Sequence, residues 1–73
     1  MEIIVPELNE TLEVKVGRDT CIKTIKHAMT HILSSANEVI LIEADEMELL
    51  DVNMTVSEYG LSDTSRLLCI TNP

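Results

Sequence analysis

Three groups of residues in this chain are of types that could do chemistry. His27 and His31 stand one helical turn apart. Cys21 and Cys69 are the two thiols. Glu43, Asp45, Glu46, Glu48 and Asp51 crowd together in the second half. A histidine pair at that spacing can grip zinc, but a zinc site takes about three or four protein ligands. There is no HExxH, and no Cys or Asp occupies an obvious third position, so both histidines read as solvated side chains. Without a CxxC pair the cysteines read as packing and surface residues with free thiols, which fits a reducing, cytoplasmic compartment. The carboxylates have no apolar surroundings to push one of them into an acid's role and leave another a base. They form an acidic ridge, read first as a solubilising face and, more sharply, as a docking surface for a basic partner. No GxSxG surrounds a serine, and Gly17 and Gly60 are turn residues rather than parts of a phosphate loop. The chain is expected to be no enzyme and to use no metal or cofactor.

Length and charge narrow the partners. A chain of 73 residues is expected to form one domain, 1–73, and such a domain buries only about 60% of its unfolded surface. A large catalytic cleft would cost much of that core. The formal charge is −8, with a single base, Arg66, in the second half. Nucleic acid is excluded, because phosphates attract Lys and Arg and because no Phe or Trp offers a stacking platform. No signal peptide, transit peptide or membrane span is visible, so no membrane insertion is expected.

The elements that must carry these residues follow from spacing. Residues 2–7 alternate, with Ile3 and Val5 on one face and Glu2, Ile4 and Pro6 on the other. Leu8 to Thr11 is expected to be a compact hairpin loop. Leu12, Val14 and Val16 alternate with Glu13 and Lys15 as a second strand. Asp19 or Thr20 should cap a helix whose apolar side carries Ile22, Ile25, Met29 and Leu33, with Ser34 to Asn37 ending it. Val39 to Ile42 is a β-branched run typical of a central strand, and Glu48 to Leu50 a brief fourth strand. Thr55 and Glu58 form a capping box. Gly60 can take the left-handed conformation that stops the capped turn. Tyr59, the lone aromatic residue, should have its ring packed and its hydroxyl bonded. A last strand runs from Arg66 to Ile70.

The stretch from Thr55 to Leu61 closely resembles the segment that leads into the last strand of ubiquitin. The order of the other elements agrees over essentially the whole chain. The resemblance implies an α+β, ubiquitin-like β-grasp fold: a mixed four- to five-stranded sheet packed on one helix. One sheet face would then cover the helix and the other would face water. Leu67, Cys69, Leu41 and Val39 would point inward. Leu68, Ile70, Ile40, Ile42 and Ile4 would point outward, with Leu8 adding from the hairpin. Several apolar side chains on adjacent strands make a patch, which is how protein-binding surfaces look. Ubiquitin's interaction patch maps onto Leu8, Ile42, Leu68 and Ile70. The hairpin is one residue shorter here, and the longer segment 42–49 leaves Ile40 as an alternative to Ile42.

The resemblance also has departures. Conjugated modifiers and sulfur carriers of this fold end in two glycines, whereas this chain ends Ile70-Thr71-Asn72-Pro73. A covalent role would need the chain to be a fragment of a precursor. Two settings fit the resemblance. One is a non-conjugated ubiquitin-like domain at the start of a larger protein, which Met1 at the first strand suits. The other is a free-standing YukD/EsaB-like accessory protein of type VII secretion, which the length and the Tyr59-Gly60-Leu61 turn suit. The expectation is a non-catalytic adaptor, monomeric or weakly homodimeric, binding other proteins through the apolar patch.

Overall fold

The computed structural model describes residues 1–34 and 37–72. Five strands and one helix follow in the order β1 (Glu2–Val5), β2 (Glu10–Glu13), α1 (Ile22–Leu33), β3 (Glu38–Glu43), β4 (Glu48–Leu49) and β5 (Arg66–Asn72). They form one sheet of order β2-β1-β5-β3-β4. The central pair β1 and β5 is parallel, and all other pairs are antiparallel. This is the mixed sheet on one helix that the alternating segments imply. No helix among the described residues is long and apolar enough to cross a membrane.

Alternation sorts the side chains. Ile3, Val5, Val39, Leu41, Leu67 and Cys69 are buried and meet Ile22, Ile25 and Met29 of α1. Met1, Leu50 and Val56 complete the core, and Leu12, Val14, Val16, Leu33, Tyr59 and Leu61 pack around it. Each fully buried Ile, Leu or Val contributes about 1.5–3 kcal/mol against exposure, so this inner layer is the main source of stability.

Three local expectations need correction. The first turn comes earlier than residues 8–11. Pro6 has no N–H to give the ladder, so β1 stops at Val5 and Pro6–Leu8 forms a 3-10 turn. Asn9 adopts φ 53° and its N–H reaches the Pro6 carbonyl at 3.0 Å. Pairing therefore resumes at Glu10 and runs to Glu13, Val14 still exchanges backbone hydrogen bonds with Met1 at 2.9 and 3.1 Å, and Val14 and Val16 stay half-buried.

The helix start also differs. Neither Asp19 nor Thr20 caps it; Thr20 Oγ1 instead accepts from Gly17 N–H at 3.0 Å. Cys21 is the residue before the first turn, without a side-chain cap. The free amides of Ile22 and Lys23 donate to the carbonyls of Met54 and Val52 at 2.9 and 3.0 Å. Backbone from a distant loop thus satisfies groups that a local side chain would otherwise serve. At the other end Ser34 is left-handed, φ 50°, and its N–H bonds the Thr30 and His31 carbonyls. Ser35 and Ala36, within the expected stop, lie outside the described residues.

The third correction concerns Glu43, placed above in the acidic ridge. It points inward, only 9% exposed. Its two carboxylate oxygens accept the amides of Asp45 and Glu46, each at 2.7 Å, and so hold the turn after β3. The exposed ridge is Asp45, Glu46, Glu48 and Asp51.

The capped turn is as expected. Glu58 N–H donates to Thr55 Oγ1 at 3.2 Å, and Thr55 N–H to Glu58 Oε1 at 2.9 Å. Leu61 N–H reaches back to the Val56 carbonyl and Gly60 N–H to the Ser57 carbonyl. With Gly60 at φ 69°, these two bonds make a Schellman stop. Tyr59 Oη accepts the Asp51 amide at 2.6 Å.

Candidate protein-binding face

Strand register decides which outward residues meet. Ile4 pairs with Leu68, and Leu68 pairs with Ile42. Directly paired positions send their side chains to the same face of a sheet. Ile4, Leu68 and Ile42 therefore form one row across three strands. Ile70 pairs with Ile40 and makes a second row beside it. All five are half-buried. The register also sets the length of the segment after Ile42, because Leu49 pairs with Ile42 itself.

Leu49 thereby extends the first row to the edge of the sheet, where it is 68% exposed. Reading the sequence passed over it as a site residue. A two-residue strand offers no alternation to read. Leu8 stands in the 3-10 turn next to β5, 43% exposed, and no strand pairing carries it into the rows. The structure thus brings Ile4, Ile40, Ile42, Leu68 and Ile70 together and leaves Leu8 at the margin.

The charges around this face are mostly acidic. Glu2 pairs with Arg66 on one side and with Glu13 on the other. Arg66 is held by Asp45 at 2.8 Å. That hydrogen bond, with the carboxylate's own charge, raises the guanidinium above its ordinary value. Arg66 is thus already partnered, and Glu46, Glu48 and Asp51 remain exposed near Leu49. Thr71 donates a hydrogen bond to Glu7, joining the first turn to β5.

Among the other chemical candidates, His27 and His31 meet on the exposed side of α1, their Nε2 atoms 3.3 Å apart. Among the described residues, no group of three or more His, Cys, Asp or Glu could hold a metal ion. Cys69 is fully buried, and burial, with Glu7 nearby, pushes its thiol up to about 11. Cys21 is half-buried at the helix start, and both thiols are free. The apolar groove between α1 and residues 14–17 offers Lys15, Thr20 and Thr24 as its polar side chains.

A scan against protein-family models and a search of curated proteins find no match for this chain. Solved structures do match. The N-terminal ubiquitin-like domain of the 4931431F19Rik protein superposes with a TM-score of 0.80 at 16% identity, over 99% of this chain and 72% of that one. A designed protein based on human erythrocytic ubiquitin gives 0.81 at 20% identity, over 100% and 90%. A chain of the crystal structure of ATBAG1 in complex with HSP70 gives 0.80 at 16% identity, over 99% of this chain and 39% of that one. At such identities the likeness is one of fold, and the chain has the ubiquitin-like β-grasp fold.

Proposed function

We propose that this chain is a non-catalytic protein-interaction module that binds partners non-covalently through the open face of its sheet. The contact centre is Leu68, flanked by Ile4 and Ile42 and backed by Ile70 and Ile40, with Leu49 and Leu8 at the margins. The observation that carries this reading is the register: five apolar side chains share one solvent-facing layer that the helix does not cover. A contiguous layer of that kind is costly to leave in water unless a partner covers it. The neighbouring structure solved as a complex, ATBAG1 with HSP70, supports partner binding as the class of activity. The acidic ridge steers a partner whose own apolar contact is flanked by Lys or Arg. In non-covalent binding β5 serves as part of the sheet, and Asn72 is still paired with Glu38 there. The free thiols suit a reducing, cytoplasmic setting.

The test uses the tagged chain as bait beside its Leu68→Glu, Ile70→Glu double variant, with captured proteins identified by mass spectrometry. Partners should be lost with the variant while its circular dichroism stays that of the parent. Partners that remain would move the site to the ridge or to the outer side of the helix. An ATP-dependent adenylate or thioester adduct with an activating enzyme would replace the non-covalent reading altogether.

A further inference from the structure

On the far side of the molecule from the open face, the exposed surface of α1 carries His27 and His31. Their Nε2 atoms approach to 3.3 Å, with ring centroids 4.7 Å apart and ring planes at 84°. We propose that these two nitrogens form a bidentate site for a first-row divalent cation that favours imidazole, with water completing the coordination.

The distance is the first support. Two metal–nitrogen bonds of about 2.0–2.1 Å, meeting between a right angle and a tetrahedral angle, hold their nitrogens roughly 2.9–3.4 Å apart. The observed separation already lies in that window. At this distance the metal-free pair can share a hydrogen bond when one ring carries its proton on Nε2. Chelation moves that proton through solvent to the same ring's Nδ1, so that both rings bind as neutral imidazoles, and a turn of each ring about its last torsion aims both lone pairs at a point beside the N–N line. Both side chains are exposed, which leaves their rings room to turn.

Position is the second support. His31 lies in the last turn of α1, and a cation near a helix C-terminus meets the negative end of the helix dipole. The charge of −8 on the whole chain also favours a cation. Lys23 and Lys26 oppose it locally, but Lys26 is paired with Glu38 at 3.1 Å. A metal bound here closes a loop across one helical turn and therefore holds the end of α1 in its folded form.

Nickel is the probe, because Ni2+ takes imidazole readily while softer ions are drawn to thiolates. Titration is followed by calorimetry in a Cys21→Ser background, which removes the accessible thiol. The parent should bind one equivalent of Ni2+. His27→Ala and His31→Ala should each weaken that binding at least tenfold, since one imidazole cannot chelate. Saturating Ni2+ should raise the melting temperature of the parent and leave that of either variant unmoved. Equal affinity in parent and variants, or no binding by the parent, overturns the site. Leu68→Glu should bind Ni2+ as the parent does, so this outcome and that of the open-face reading are separable.

Discussion

Leu67 and Leu68 are neighbours in β5 and alike in chemistry, yet they meet opposite surroundings. Leu67 is 0% exposed under α1, whereas Leu68 is half-buried in a layer that water still reaches. The same contrast repeats at Cys69 and Ile70, and at Leu41 and Ile42. The inner face gains its stability within the chain. The outer face holds the same kind of apolar surface with no helix over it, so the part that water still reaches would gain burial energy only if another molecule covered it. Composition cannot separate these uses; the position of the helix does.

The comparison breaks hardest at β5. Leu67→Ala should lose about 2–5 kcal/mol through removed contacts and the cavity left behind. Leu68→Ala should lose less than about 1.5 kcal/mol, since partial exposure already forfeits part of the burial term. Urea unfolding of both variants measures this, and equal losses would mean that the two faces are energetically one core. Binding should show the reverse order, with Leu68→Glu abolishing capture of a partner.

Cys69 sharpens the contrast within the inner layer. Cys69→Ser places a hydroxyl among Leu41, Leu67 and their neighbours, and an unpaired buried hydroxyl costs about 1–3 kcal/mol. Its thiol also makes stability depend on alkaline pH. In the unfolded chain it ionises near its ordinary value of 9.0, while in the fold it stays protonated up to about 11. Between those values the unfolded state binds fewer protons, so stability falls as pH rises through this window. Cys69→Ala should flatten that part of the curve. Thiol alkylation should label Cys21 well before Cys69, and equal rates would mean that the inner face opens readily.

The smallest effect lies at the rim of the open face. Met47 holds φ 55° in the turn before β4 and is 64% exposed. Met47→Gly removes the left-handed penalty of roughly 1–2 kcal/mol, less the entropy that glycine loses on folding. A small rise in melting temperature is expected, with partner affinity unchanged. A fall in affinity would enlarge the binding face to include the turn.

What could be read from the residues was whatever rests on near neighbours. The Thr55–Glu58 box and the Gly60 stop are written within seven residues, and alternation assigned the inward sides of β1, β3 and β5. Pairing across the sheet was less legible. The register of Leu49 on Ile42 depends on how the chain turns between them, and Glu43 fixes that turn by burying its carboxylate on two amides. A charged residue in an alternating strand reads as exposed until its backbone partners are known. The start of α1 is not legible from its near neighbours, because its acceptors, the carbonyls of Met54 and Val52, lie about thirty residues later in the chain.

Those acceptors have a kinetic consequence. Ile22 and Lys23 bond to Met54 and Val52, Cys21 bridges Thr55, and Val56 and Ser57 return their amides to Thr20 and Arg18. Residues 18–23 and 52–57 are thus stitched together in both directions. Neither strip can release its amides to solvent while the other stays closed. In deuterium oxide, the N–H groups of Ile22, Lys23, Val56 and Ser57 should exchange together, as one cooperative opening joining two stretches far apart in the chain.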